Sequence, residues 1–215
     1  NGLDMHTDVV AATQALGILT VITGNLDVKG GNVVLPPVPL SPVPSKKSAL
    51  PSISAETYPL FPNTNFPAVI DALRTGVPYR PKAMIVFHAN PVLINGDEAH
   101  VREALGNLEF LVVSDIYRTA TSEMADVVLP DVSDYERDGF KTQVTPDGWI
   151  VGLRQKAVDP PGEARAALDV EIDLAKRMGV IDAFPWSNHQ EWIDYRLKPL
   201  GITYAQLKEQ SPLFI

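Results

Sequence analysis

A chain of 215 residues, 45% hydrophobic and 20% charged, has the composition of a folded globular protein and enough length for one good-sized core, or one domain with an appendage. A formal net charge of −8, with no basic cluster denser than Lys46-Lys47 and Lys176-Arg177, argues against a nucleic-acid or anionic-membrane surface. The absence of cysteine removes disulfides, thiolate metal sites, iron–sulfur ligation and cysteine nucleophiles.

The chain begins at Asn1, and no basic leader or cleavage site precedes the first helix, so it reads as a piece excised from a longer protein. Val9, Ala12, Leu16, Leu19 and Thr23 repeat at spacings of three and four, which predicts a helix with Thr7 or Asp8 as N-cap and Gly24 as stop. Residues 9–26 carry no charge, but Thr13, Gln14, Gly17 and Thr20 interrupt them, and the apolar part falls short of the roughly 20 residues a membrane span needs. The expectation is a buried core helix. The loop Gly24-Asn25-Leu-Asp27-Val-Lys-Gly30-Gly31-Asn32 calls for turns with positive φ.

Residues 33–67 hold nine prolines, at 36, 37, 39, 42, 44, 51, 59, 62 and 67. They bar central strands and helix from the stretch. Leu35, Leu40, Leu50, Ile53, Tyr58, Leu60 and Phe61 are too apolar for a solvated linker, so an irregular segment lying over the sheet domain and touching absent domains is expected. A helix from about Phe66 to Thr75 closes at Gly76. Strand 82–88, a helix capped by Asp97 with Val101, Leu105 and Leu108 inward, strand 109–114, a short helix near 119–125 and strand 126–129 follow. Residues 139–153 suggest a hairpin around Pro146-Asp147-Gly148. Residues 163–178 suggest a helix with Leu168, Ile172, Ala175 and Met178 inward, and short helices near 188–198 and 203–210 end the chain.

Short apolar strands separated by helical patterns predict an α/β fold: a Rossmann-like three-layer parallel sheet with helices on both faces, plus the proline-rich irregular segment. The divisions expected are 1–32 (helix and glycine-rich loop), 33–67 (irregular connection), 68–180 (α/β nucleotide-binding core) and 181–215 (helical extension). Ligands of such sheets sit at the carboxyl ends of the strands, where Asn90, Asp115 and the residues after Leu129 would lie. No glycine-rich fingerprint is present, so a nucleotide there need not be NAD.

Pro91 drives Asn90 out of helical geometry, which frees the Asn90 amide and the next backbone N–H groups for a ligand, or leaves a plain turn. Asp115 could face a ribose or base, or cap the following helix; Thr119 and Thr121 could bind a phosphate or cap. Asp126 and Asp131 flank a strand in no metal-ligand spacing. Glu136, Asp138 and Gly139 read as a solvated acidic turn. Of the four histidines, His100 reads as surface, His189, within the segment Trp186 to Trp192, as packed, and His88 as a candidate to line the crevice. No Ser-His-Asp arrangement is defensible from spacing.

Gly2-Leu-Asp-Met-His-Thr-Asp8 and Ile22-Thr-Gly-Asn-Leu-Asp-Val-Lys-Gly-Gly-Asn32 resemble the central region of molybdopterin oxidoreductases of the dimethyl-sulfoxide-reductase superfamily. So do His88-Ala-Asn-Pro-Val92, Val112-Val-Ser-Asp-Ile-Tyr-Arg-Thr-Ala-Thr121, Ala125-Asp-Val-Val-Leu-Pro130, Glu136-Arg-Asp-Gly139, Gln155-Lys-Ala-Val158 and Glu163-Ala-Arg165. The motifs fall in family order from Asn1 to about Gly179, and the subgroup resembles thiosulfate, polysulfide or arsenic reductases. The resemblance implies a fragment holding part of a bis-molybdopterin guanine dinucleotide with molybdenum or tungsten. It places an iron–sulfur cluster and the metal-ligating side chain earlier in the parent, a further domain later, and an iron–sulfur electron-transfer subunit as partner. It sets Asn90 and Pro91 at a phosphate or ribose, Ser114, Asp115 and Thr119 against guanosine, and Met5 and His6 near the second pterin. Met5-His6 departs from the glutamine-containing pair frequent in the family. The rival reading is a stand-alone nucleotide-binding or regulatory module, such as the central domain of a thiamine-dependent enzyme.

Overall fold

The computed structural model describes residues 2–44, 50–55 and 64–215; Lys46, Lys47, Tyr58, Leu60 and Phe61 lie outside the described residues. Strands β1 (Ala83–Phe87), β2 (Phe110–Asp115) and β3 (Val127–Pro130) form a parallel sheet in the order β1-β2-β3. Met84 pairs with Leu111, Val86 with Val113, and Val113 with Val128. The β1–β2 crossover carries α3 (Pro91–Ile94) and α4 (Glu98–Leu105); the β2–β3 crossover carries only a 3-10 turn, Ser122–Met124. The helix expected near 119–125 is therefore one tight turn, closed by reciprocal bonds between Thr119 and Ser122.

Helix α2 (Phe66–Thr75) starts where the Asn65 side chain accepts the Ala68 N–H at 2.9 Å, tolerates Pro67 in its first turn, and stops at Gly76 with φ 79°. Asp97 caps α4 in the same way, accepting the His100 N–H. Ile70 and Leu73 of α2 meet Val92, Val101 and Leu105 over Met84, so α2 and α4 cover the face made by Met84, Val86, Leu111 and Val113. Full burial of each such side chain contributes about 1.5–3 kcal/mol. On the other face, the first turn of α5 (Ala167–Arg177) lies beside Phe87, held at the end of β3 by the Arg165 N–H bonded to the Pro130 carbonyl at 3.1 Å. The α/β class predicted from the sequence is the fold observed. Ile172 and Ala175 point inward as expected. Met178 does not: it follows the last helical residue and is 66% exposed.

A second core lies in the C-terminal third. The hairpin β4 (Gly139–Thr145) and β5 (Gly148–Arg154) is extended by β6 (Leu213–Phe214), antiparallel to β5. Helices α6 (His189–Leu197) and α7 (Tyr204–Gln210) bury Ile193, Leu197 and Leu207 against Val151, with Phe140 and Trp192 in contact at 5.4 Å. β6, two residues long, carries no alternation that a sequence reading could detect.

The proline-rich segment has neither helix nor strand over its described residues 33–44 and 50–55. Its first part docks on this second core, whereas residues 50–55 lie beside α2 of the sheet domain, where the Tyr79 hydroxyl donates to the Pro51 carbonyl at 3.1 Å, so the expected position over the sheet domain is met by the second part alone. Proline offers a carbonyl but no N–H, so the donors come from the other side: Trp149 Nε1–H to the Pro36 carbonyl (3.2 Å) and the Tyr195 hydroxyl to the Pro42 carbonyl (3.0 Å). The Ser41 N–H adds a bond to the Arg196 carbonyl at 2.9 Å, and Leu40 packs into the core.

Helix α1 (Val9–Ile22) has no buried residue, and Ile22 is 73% exposed. The predicted burial is not realised among the described residues: the 3-10 turn Gly2–Met5 packs against the helix and the Asn32 amide donates to the Thr20 hydroxyl at 3.3 Å, but neither buries a residue of it. Its hydroxyls are nonetheless turned inward: Thr20 donates to the Leu16 carbonyl and Thr23 to the Leu19 carbonyl. Gly24 and Gly30 have the positive φ expected of the following loop. No helix among the described residues is long and apolar enough to cross a membrane.

Burial pushes the Tyr204 phenol up to about 12, helped by the bond its hydroxyl donates to Asp138 Oδ2 at 2.7 Å. The neutral phenol is the form the fold favours. Stability from this group is therefore full below the ordinary tyrosine value near 10 and is lost as pH rises from about 10 to about 12. Absorbance titration at tyrosinate wavelengths should show one late-titrating tyrosine that Tyr204→Phe removes; an unchanged late phase would refute the assignment.

Candidate functional site

The carboxyl ends of β1 and β2 and the residues after β3 open into a cavity of about 490 Å³ lined by His88, Asp115, Tyr117, Ser133, Asp134 and Arg137. Asp115 ends β2. Its Oδ1 accepts the Tyr117 N–H at 3.1 Å, a local turn bond, while Oδ2 has no hydrogen-bond partner among the described residues. It caps no helix, since the next helical turn begins only at Ser122. Asp115 therefore offers a free carboxylate oxygen to the crevice.

Asn90 precedes Pro91, the first residue of α3. The Thr121 hydroxyl accepts the Val92 N–H at 3.2 Å and donates to Asn90 Oδ1 at 2.7 Å. With the Thr121 proton given to Asn90 Oδ1, the Asn90 NH2 is turned away from Thr121. The backbone N–H groups expected to be free are not: Val92 N–H goes to Thr121, and Leu93 and Ile94 N–H go to the Asn90 carbonyl. Thr121 thus ties the loop after β2 to α3, while Thr119 closes its own turn by accepting the Ser122 N–H.

Ser114 is fully buried, and its hydroxyl donates to Asp131 Oδ2 at 3.0 Å. His88 Nε2 meets the same oxygen at 2.6 Å, and Asp131 Oδ1 accepts the Val132 N–H. The structure brings a serine, a histidine and an aspartate together, as spacing did not suggest. The aspartate sits between the other two, so the serine has no base and the cluster is no nucleophilic triad. Asp131 was visible in the sequence as an acid at a strand end; the available signal was that it follows β3 on the same edge as Asn90 and Asp115.

The turn at Glu136-Arg-Asp-Gly139 is half-buried and bonded, not solvated. Glu136 accepts the Ser133 N–H, and Asp138 accepts the Lys156 N–H as well as the Tyr204 hydroxyl. Asp134 pairs with Arg154 at 2.8 Å and Arg137 at 3.2 Å. A Cβ at Gly139 would lie 2.7 Å from Arg154 Nη2, so a side chain there would have to displace the guanidinium that pairs with Asp134. His189 packs edge-on to Trp192, and burial lowers its proton affinity. Met5, 76% exposed, and His6 sit at the 3-10 turn before α1 and line none of the cavities at the sheet edge.

Among the described residues no group of three or more His, Asp or Glu is placed to hold a metal ion. The donor set of the crevice, a free carboxylate oxygen at Asp115 beside an imidazole and a guanidinium, suits a neutral, N–H-bearing group such as a nucleobase.

A parallel sheet with helices and an open crevice at its carboxyl edge defines an α/β domain. The chain belongs to the molybdopterin oxidoreductase family, whose model matches residues 2–177. It is 31% identical to the α subunit of an F420-dependent formate dehydrogenase from Methanocaldococcus jannaschii, over 96% of this chain and 33% of that one. It is 28% identical to acetylene hydratase of Syntrophotalea acetylenica, with the same coverage. It is also 28% identical to the molybdopterin-containing subunit of thiosulfate reductase from Salmonella typhimurium, over 68% of this chain and 19% of that one. The solved structure of acetylene hydratase from Pelobacter acetylenicus superimposes with a TM-score of 0.63 at 28% identity, over 71% of this chain and 21% of the other. The chain spans about a third or less of the length of these relatives.

Proposed function

We propose that this chain is the middle section of the catalytic subunit of a molybdenum- or tungsten-dependent oxidoreductase, and that its sheet edge holds part of a bis-molybdopterin guanine dinucleotide. The observation that carries this reading is the unpartnered Asp115 Oδ2 at the carboxyl edge of a sheet whose family match spans residues 2–177. A carboxylate accepts from both N–H donors on the guanine edge; adenine offers an acceptor there and would be repelled. The Asn90 amide, held by Thr121, donates toward the phosphate or ribose, with Pro91 fixing its backbone. The Ser114 hydroxyl is committed to Asp131, so Ser114 contributes through what it positions, whereas the Thr119 hydroxyl only accepts the Ser122 N–H and keeps its proton for the guanosine. Met5 and His6 would approach the second pterin.

The bound metal supplies the two-electron chemistry with transfer of an oxygen or sulfur atom; these residues bind and orient the organic part. The iron–sulfur cluster and the metal's own side-chain ligand belong to earlier parts of the parent, and an iron–sulfur subunit is its electron partner. The names of the relatives include a dehydrogenase, a reductase and a hydratase, so we assign substrate choice to other parts of the parent.

Alone, the chain is expected to be inactive and to bind no transition metal, since it lacks cysteine and a ligand cluster among its described residues. Elemental analysis of the washed chain tests the second point; a stoichiometric transition metal would count against it. Expression joined to the flanking segments of its parent should give protein carrying molybdenum or tungsten together with guanine nucleotide. Full-length protein with neither would overturn the reading.

A further inference from the structure

We propose that His88 is a ligand-contacting residue of this crevice, holding a ribose hydroxyl of the nucleotide whose base Asp115 reads; the inference rests on the function proposed above. His88 extends the ladder one residue past β1, its N–H bonded to the Ser114 carbonyl at 3.0 Å, and then turns with φ 52°. A left-handed backbone costs an ordinary L-residue about 1–2 kcal/mol, and glycine takes it freely. Among the described residues the two other non-glycine positions with positive φ, Asp27 and Asp97, have local work there: Asp27 accepts the Val34 N–H, and Asp97 caps α4. His88 caps nothing. Its side chain instead meets Asp131, whose carboxyl group is wholly inside the protein while the imidazole is 40% exposed.

Asp131 has no contact to offer a ligand. Its Oδ1 takes the Val132 N–H, and its Oδ2 takes Ser114 and His88. What it does is fix the ring. With Nε2–H committed inward at 2.6 Å, Nδ1 is the free nitrogen, and the ring's orientation is set from the interior. A buried acid that orients an imidazole, itself saturated by a serine and a backbone amide, is the arrangement that sets a histidine for a partner on its other side. That other side is the crevice. The imidazole shares one cavity with Asp115, Tyr117 and Arg137, and lines a second with Phe87, Glu171 and Trp192.

The chemistry of the partner follows from Nδ1. A hydroxyl both donates and accepts, so it pairs with Nδ1 in either protonation state of the ring. The crevice is not cationic: across the two cavities that His88 lines, Asp115, Asp134, Asp138, Glu171 and the buried Asp131 outnumber Arg137, Lys141 and Arg154. A phosphate is thereby disfavoured, and the hydroxyl-bearing part of a nucleotide next to its base is the ribose.

His88→Gly keeps the backbone turn, releases its strain and removes the ring with its bond to Asp131, which retains the Ser114 hydroxyl and the Val132 N–H. In the full-length parent this variant is expected to lose guanine nucleotide about 3- to 10-fold faster on dialysis, the effect of one neutral hydrogen bond, while the unfolding midpoint of the cofactor-free protein stays near that of the wild type. A merely structural latch between the ends of β1 and β3 would do the reverse. The decisive probe is GMP against its 2′-deoxy and 3′-deoxy forms, bound to the cofactor-free parent. The wild type should prefer GMP over one deoxy form by about 3- to 10-fold, and His88→Gly should erase that preference. Discrimination that survives in His88→Gly, or that the wild type lacks, overturns the assignment. If His88→Gly does not fold, His88→Asn, which also tolerates left-handed backbone, takes its place. Failure of the parent reading looks different: Asp115→Ala would then bind GMP as tightly as the wild type.

Discussion

Asp115→Ala in the full-length parent is expected to weaken retention of the guanine nucleotide by about 10- to 100-fold. Bonds from guanine N–H groups to a carboxylate contribute about 1.5–3 kcal/mol, and roughly 1.4 kcal/mol corresponds to a factor of ten. Against the fold, the change removes one turn bond, Tyr117 N–H to Oδ1, worth about 1 kcal/mol. A sharper variant is Asp115→Asn. It keeps an oxygen for Tyr117 but replaces the free Oδ2 by an NH2 that confronts the guanine donors. It should lose nucleotide at least as severely as the alanine variant while unfolding at the wild-type midpoint. Nucleotide and metal content per purified polypeptide are the measurements. Full content in both variants would mean that Asp115 serves its turn alone.

The parallel sheet was readable because its strands are short apolar runs bounded by polar breaks: Met84 to Phe87, Leu111 to Val113 and Val127 to Leu129 each announce a strand, although Val127 and Val128 of β3, at the sheet edge, are exposed. The caps were readable too, Asp97 and Gly76 being local chemistry. The bonds that build the crevice were not. Thr121 reaches Asn90 across 31 residues and His88 reaches Asp131 across 43, and no local pattern carries such separations. Spacing could propose Asn90 as free or as a plain turn, but only the fold shows that Thr121 takes its oxygen. The helix after β2 was over-read, because Thr119, Thr121 and Ser122 look alike as caps or phosphate ligands until the turn they close is seen. Helix α1 was misplaced for another reason. An uncharged helix demands burial, and the partner that would supply it is not among the described residues of this chain.

The remaining large effect concerns Leu197, fully buried with Val151, Ile193 and Leu207 in the core of the hairpin and C-terminal helices. Leu197→Ala is expected to cost about 2–5 kcal/mol, a leucine-to-alanine cavity where the neighbours close in only partly. Against a total of about 5–15 kcal/mol, that is a large fraction. We expect the loss to fall on the hairpin unit first. The buried clusters under α2 and α4 share Met84, Leu108 and Met124 with the parallel sheet, whereas no residue is common to them and the hairpin core. Asp134 pairs with Arg154, and a half-exposed ion pair of this kind contributes at most about 1 kcal/mol, while Asp138 accepts hydrogen bonds from the Lys156 N–H and the Tyr204 hydroxyl, bonds that contribute about 1.5–3 kcal/mol each when one partner is charged. All three tryptophans, Trp149, Trp186 and Trp192, lie in the C-terminal third, so their fluorescence reports that unit, while circular dichroism reports both. In denaturant, Leu197→Ala should move the fluorescence transition to lower concentration and leave a later dichroism transition from the sheet. Leu73→Ala, the matching change beneath α2, should do the opposite. Coincident transitions in both variants would show a single cooperative unit, with the links around Asp134 and Asp138 stronger than their exposure suggests.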